Sequence, residues 1–273
     1  MKRLILAAAA LLIATLPTRA FAQEDIGFAP VAERTISTPA FSDAHVAGLL
    51  KTLDGLVGKP TDPTAWAKDN SINFWRLMNR LQIGTLSPAQ EAMVLARFDA
   101  YEQAHPADAD FLNIQRHMVR DLMIGKVAPE IVGKDYDGVE FKLSDSRGKV
   151  TVLYFTGQWC GPCRGEYPYE RLMLEVHAKD PFAIVSVNSD EKLETAKKAK
   201  EDERLTFRSF WDGYVEKKST SGPIASAWNV TGWPAIYILD AKGVIRFAQL
   251  RQEDILKAVG QLLAEQRAAE PRK

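Results

Sequence analysis

Apolar residues recur at helical spacing from about residue 42 to residue 124, and at strand spacing or in short unbroken runs from 126 onward. Val46, Leu49, Leu50, Leu53 and Leu56 share one face of a first helix, and Phe74, Leu77, Met78 and Leu81 one face of a second. Ser87 followed by Pro88 is a helix-start signal, and Val94, Leu95, Phe98 and Tyr101 form the stripe behind it. Phe111, Ile114, Met118 and Leu122 line a fourth helix, which Gly125 ends. The spacing therefore predicts a small all-α helical domain over residues 41–125, whose role is not written in its residues. Trp66 and Trp75 are read as packing aromatics, and His105 and His117 as surface or helix-end residues, because no cysteine or acidic constellation lies near them in sequence.

The pattern changes near Lys126. Ala128–Val132 and Val139–Leu143 flank Gly133-Lys134-Asp135-Tyr136-Asp137-Gly138 and read as a hairpin. Val150–Phe155 and Phe182–Val187 are buried strands on either side of a helix-forming segment, and a charged helix follows from about Glu191 to Arg204. Ala235–Leu239, the turn at Asp240–Gly243 and Val244–Ala248 form an antiparallel hairpin, and a closing helix runs from about Gln252 to Ala268. Strands alternating with helices, then a hairpin and a helix, predict an α/β layer with a mixed central sheet over 126–268, leaving 269–273 as a tail.

The beginning of the chain follows neither pattern. Met1-Lys2-Arg3, the apolar run from Leu4 to Leu16 and the small-x-small sequence Ala20-Phe21-Ala22 read as a secretory signal peptide over residues 1–22, cut before Gln23. The apolar run is shorter than the roughly 20 residues of a spanning helix. Residues 23–40, with Pro30 and Pro39 and no periodicity, are expected to be a poorly ordered lead-in. Signal removal deletes Lys2, Arg3 and Arg19 and leaves 32 basic against 35 acidic residues. That balance suggests neither a nucleic-acid partner nor an anionic membrane surface. An exported protein works where disulfides persist, and the periplasm is the expected location, with no membrane span after cleavage.

The chemistry concentrates in Trp159-Cys160-Gly161-Pro162-Cys163, which holds both cysteines of the 273 residues. It follows a strand and opens a helix, so the first sulfur lies beside unpaired N–H groups that stabilise a thiolate. The second sulfur, one turn on, is close enough to close a ring and release what the first captured. A purely structural disulfide gains little here, because two intervening residues close almost no loop. A zinc site needs four ligands, yet there is no second Cys-x-x-Cys, and the four histidines show no ligand spacing. The pair is therefore read as redox-active, with no metal and no cofactor.

These residues resemble the thioredoxin superfamily, and more narrowly the TlpA/ResA-like extracytoplasmic thiol–disulfide oxidoreductases. The resemblance covers about 126–268. It rests on the Trp-Cys-Gly-Pro-Cys run, on Pro168 five residues after Cys163, on Glu166 within Cys163-Arg164-Gly165-Glu166-Tyr167-Pro168, and on Thr231-Gly232-Trp233-Pro234-Ala235. It implies a thioredoxin-like fold, Cys160 as attacking thiol and Cys163 as resolving thiol. It also implies a cis Pro234 facing the sulfurs, with the Trp233 backbone pairing with a substrate strand; the alternative is a trans proline in an ordinary turn. Trp159 either shields the pair or packs against the helical part. Glu166 either tunes the Cys163 thiol or complements the helix dipole. The buried acid found six residues before the first cysteine in many thioredoxins is replaced by Tyr154, so proton handling at Cys163 falls to Glu166, water or Tyr154.

The expected activity is reduction or isomerisation of disulfides in exported proteins through a Cys160/Cys163 cycle. Electrons would come from an external donor, plausibly a membrane thiol carrier. Two alternatives stand beside it. A thiol peroxidase would carry Pro-x-x-x-Thr-x-x-Cys, whereas Leu153 and Gly157 occupy those positions before Cys160. A non-enzymatic reading makes residues 41–125 a docking module on a thioredoxin scaffold.

Overall fold

The structure, a computed structural model, describes residues 36–57, 66–213 and 222–269. The expected signal peptide, most of the lead-in and all but the first residue of the tail lie outside them. All described residues belong to one compact unit.

Five helices come first: α1 (Asp43–Val57), α2 (Trp66–Asp69), α3 (Ser71–Leu81), α4 (Pro88–Ala104) and α5 (Ala109–Asp121). Each long one begins where the sequence supplies a start. Ser87 accepts the Gln90 N–H, and the Gln90 side chain accepts the Ser87 N–H, which satisfies two orphan donors of α4. The apolar stripes meet around Phe74, whose ring lies 5.8 Å from Phe98, 5.6 Å from Tyr101 and 5.4 Å from Phe111.

Helix α5 keeps its predicted face at Phe111, Met118 and Leu122 and departs from it at Ile114. Leu112, Met118 and Val119 are buried, whereas Ile114 is 43% exposed. A buried cation takes part of the inner face. Arg116 reaches Asp99 at 2.8 Å and Glu102 at 2.5 Å on α4, so a charged residue occupies the inner face that an apolar pattern assigns elsewhere. Trp75, expected to pack, is likewise 42% exposed. His117 joins α5 to the sheet part, with Nδ1 at 2.8 Å from Asp121 and Nε2 at 3.1 Å from the Ala227 carbonyl.

The second part opens with the hairpin β1 (Val132–Lys134) and β2 (Glu140–Lys142), then β3 (Val150–Thr156), α6 (Gly161–Arg164), α7 (Tyr167–Val176), β4 (Phe182–Asn188) and α8 (Leu193–Asp202). It continues through β5 (Arg208–Trp211), α9 (Pro223–Ala227), β6 (Ala235–Leu239), β7 (Ile245–Ala248) and α10 (Glu253–Ala269). The main sheet has the order β5-β4-β3-β6-β7. Strands β3, β4 and β5 are parallel, β6 is antiparallel to β3, and β7 is antiparallel to β6. This is the mixed sheet the sequence predicts, preceded by its helical region.

All seven residues of β3 are buried because helices cover both faces of a central strand. Alternate residues serve different cores. Val150, Val152 and Tyr154 pack with Ile255, Val259 and Leu262 of α10. Leu153 and Phe155 belong to a cluster that runs through Tyr237 and Leu122 to Phe74, so the helical region continues the core on that face of the sheet. The carboxyl end of β3 carries the cysteines.

Candidate active site

Strand β3 ends at Thr156, and three residues bring the chain to Cys160, the N-cap of α6. Cys160 and Cys163 are joined as a disulfide. The Cys163 N–H donates to the Cys160 sulfur at 3.1 Å, as a first-turn donor left unused by the helix does. Cys163 is 1% exposed and Cys160 4%, so the disulfide is nearly covered and Cys160 is the more accessible of the two. Helix α6 lasts one turn. Pro168, without an N–H, sits in the first turn of α7 just past the break.

The loop before Cys160 is clamped from several directions. Asp190, at the end of β4 and 2% exposed, accepts the Gln158 N–H at 2.7 Å and the Asn188 amide at 2.9 Å. Arg164 donates to the Gln158 carbonyl at 2.5 Å, and the Tyr167 hydroxyl to the Gln158 side chain at 3.0 Å. The Trp159 indole donates to the Ser189 carbonyl at 3.3 Å and folds back over Gly157. A Cβ at position 157 would lie 2.5 Å from that indole nitrogen. The threonine of the peroxidase pattern therefore has no room in this loop.

Asp190 was not among the residues the sequence singled out, although Asn188-Ser189-Asp190 closing a buried strand is a turn-forming signal. Replacing Asp190 with alanine removes the acceptor of a buried backbone donor. Urea unfolding of the oxidised protein is expected to show a loss of about 1–3 kcal/mol. An unchanged midpoint would mean that the clamp contributes nothing.

Facing Trp159 stands the loop that leads into β6. The Trp233–Pro234 peptide bond is cis. Trp233 packs edge-on against Trp159, ring centroids 5.3 Å apart, so Trp159 is 42% exposed beside the disulfide and packs on the facing loop rather than on the helical region. Arg251 donates to the Pro234 carbonyl at 2.6 Å. Gly232 and Trp233 lie outside the strand ladder, and among the described residues no hydrogen bond reaches their backbone.

Behind the pair lies a buried polar group. Glu166 is 2% exposed and accepts the Gln252 N–H at 3.0 Å, and it caps no donor of its own helix. Burial raises its pKa, against the opposing pull of that N–H and of Arg251. Glu170, one turn further on the inner face of α7, is 2% exposed, with one carboxylate oxygen lacking a partner among the described residues. Burial and the neighbouring Glu166 push it up to about 8, so it is predominantly protonated at neutral pH. Burial, with both glutamates adding to it, holds the Tyr154 phenol well above its ordinary value, and its hydroxyl also lacks a partner. Glu170 had a sequence signal: it interrupts the buried stripe of Tyr167 and Met173.

The AhpC/TSA family profile matches residues 124–248. The thiol–disulfide oxidoreductase ResA of Geobacillus kaustophilus is 32% identical over 123 residues, 45% of this chain and 67% of that protein. The thioredoxin-like protein YneN of Bacillus subtilis is 36% identical over 124 residues, 45% of this chain and 68% of its own length. The chain belongs to this ResA-like family of thiol–disulfide oxidoreductases. Among solved structures, the thioredoxin domain of a thiol–disulfide oxidoreductase from Bacteroides vulgatus is 28% identical, covering 52% of this chain and 99% of that one at a TM-score of 0.47. As a member of the family, the chain is an enzyme that exchanges thiols and disulfides.

Proposed function

We propose that this oxidoreductase reduces or isomerises disulfides of exported proteins, with Cys160 as the attacking thiol and Cys163 as the resolving one. The observation that carries the assignment is the placement of the pair: Cys160 is the N-cap of α6, accepts the Cys163 N–H and keeps 4% of its surface exposed, against 1% for Cys163. In the reduced protein the Cys160 thiolate attacks one sulfur of a substrate disulfide, forming a mixed disulfide and releasing the first substrate thiolate. The Cys163 thiolate then attacks the Cys160 sulfur. The Cys160–Cys163 bond forms, the second substrate thiolate leaves, and two electrons have passed to the substrate.

Each other residue has a place in this scheme. Trp233 offers an open backbone N–H and carbonyl to an extended substrate strand, and Pro234 keeps a backbone donor away from the sulfurs. Trp159 shields the pair and supports the Trp233 ring. Glu166 tunes the Cys163 thiol. Re-reduction needs a separate donor, since the chain's two cysteines are both consumed, and a membrane-held dithiol carrier fits that role. The basic, apolar and small-residue run of residues 1–22 supports action outside the cytoplasm. Among the described residues no helix is long and apolar enough to cross a membrane.

Titration of the Cys160/Cys163 couple against glutathione buffers tests the direction. A midpoint of about −270 mV is expected for a reductant with a Gly-Pro dipeptide between the cysteines; a midpoint of about −120 mV would make it an oxidant.

A further inference from the structure

A groove of about 880 Å³ separates the helical region from the loop that carries the cis proline. One wall is α3, the turn after it and α5, which present Ile72 and Trp75, Ile83, and Ile114 in that order, each between 42% and 52% exposed. Large apolar side chains left this open and this close together mark a surface made for contact rather than scattered exposure. The other wall is Thr231–Pro234, where the backbone of Gly232 and Trp233 carries no hydrogen bond among the described residues. Between the walls lies Gln82, itself 2% exposed, whose side-chain oxygen accepts the Gln249 amide at 3.4 Å.

The charge of the lining selects the occupant. It contains no carboxylate, and its one cation, Arg251, is already engaged by the Pro234 carbonyl. A basic segment would find no counter-ion there, and the guanidinium that could meet an acidic one is held against the Pro234 carbonyl at the edge of a mostly apolar lining. An extended chain with apolar side chains finds two apolar contacts and an open main-chain donor and acceptor, the requirements for adding a strand. The groove also runs up to Trp233, whose ring touches that of Trp159 next to Cys160. Whatever lies in it is therefore continuous with the group presented to the sulfurs.

We propose that this groove docks an extended polypeptide segment with uncharged, apolar side chains flanking the cysteine to be reduced, so that α3 and α5 act as the substrate-selecting wall of the enzyme. The proposal rests on the thiol–disulfide reading above and assigns a role to the helical region. Ile72 and Ile114 are specificity residues that touch the flanking segment, not the reacting sulfurs.

The test uses the full reduced chain in single turnover, so that its own dithiol supplies both electrons. The probes are hydroxyethyl disulfide and two short peptides whose cysteine is disulfide-bonded to free cysteine, one with Leu and Val flanking it and one with Asp and Lys. Reduction of the apolar peptide is expected to be faster than that of the charged one by about tenfold or more, and the double variant Ile72→Glu, Ile114→Glu to shrink the preference to within about twofold. Val176→Glu, equally exposed but outside the groove, keeps the preference. Equal rates for the two peptides in the parent chain, or a preference that survives the double variant, overturn the proposal. Failure to reduce hydroxyethyl disulfide would instead sink the thiol–disulfide reading. The groove is then judged by calorimetric binding of the apolar peptide with serine for cysteine, which the double variant must weaken by about tenfold. No binding, or a dimer of the parent chain that the double variant dissociates, assigns the groove to something other than substrate.

Discussion

Replacing Cys163 with alanine is expected to arrest the enzyme with its substrate attached. The Cys160 thiolate still captures a substrate sulfur, but the thiol that would attack the mixed disulfide is gone, and Cys163 has no substitute in a chain with two cysteines. Multiple-turnover reduction should fall by at least about 10³-fold, equivalent to ~4 kcal/mol of lost transition-state stabilisation. A disulfide-linked adduct should accumulate on non-reducing electrophoresis and release its partner with dithiothreitol. The reciprocal change, Cys160→Ala, should give the same loss of turnover without the adduct, because the remaining sulfur is 1% exposed. Equal adduct yields from both variants would reverse or erase the assigned order of attack. The trapped partners also identify the substrates directly.

The second large effect is on stability, and it comes from Glu170. Its carboxyl is held at about 8 in the folded protein by burial and by Glu166, above the ordinary value of 4.5 that it regains on unfolding. Between those two values the native state keeps a proton that the unfolded chain has lost. The native state is thus favoured at low pH, and stability falls as pH rises through the window, by about 1.4 kcal/mol per pH unit from this group alone, levelling off above the folded value. Glu166, also raised by burial, adds in the same direction. The groups facing Glu170 set the size of the effect: Glu166 and Glu203 raise it, while Arg171 opposes it. Glu170→Gln should therefore flatten the decline and make the variant more stable than its parent at pH 8. Urea unfolding of the oxidised protein from pH 5 to pH 8 measures this directly. Parallel profiles for parent and variant would remove Glu170 from the account.

The two results probe different layers of one site. The cysteines stand at the carboxyl end of a fully buried strand, and the glutamates fill the space behind them between β3, α7 and the start of α10. A carboxyl left partly unpaired next to an unpaired phenol destabilises the fold.

Much of this was legible along the chain. The helix starts, the strand runs and the Cys-Gly-Pro-Cys turn depend on neighbours within a few residues, so periodicity and turn chemistry report them without any knowledge of the fold. The reading failed where distant residues change what a position means. Ile114 falls on an apolar stripe but stands in solvent, because Asp99 and Glu102 make it possible to bury Arg116 instead. Trp75 has the composition of a core residue and the location of a groove wall. Asp190 looks like an ordinary turn residue until the parallel pairing of β3 and β4 brings it under Gln158, 32 positions away.

The order of residues by itself determined that a strand delivers two cysteines, one turn apart, to the start of a helix, and that a separate apolar pattern precedes them. Only the tertiary structure decided that the preceding helices share a core with the sheet and form one side of a groove beside the cis proline. It also decided that Glu166 is held by Gln252, 86 positions on, and that Glu170 is sealed from water. The physical reason is the range of the forces. Backbone preferences act within a turn or two of the chain, whereas exposure, ion pairing and a carboxyl's proton affinity depend on whichever segments the fold packs against it.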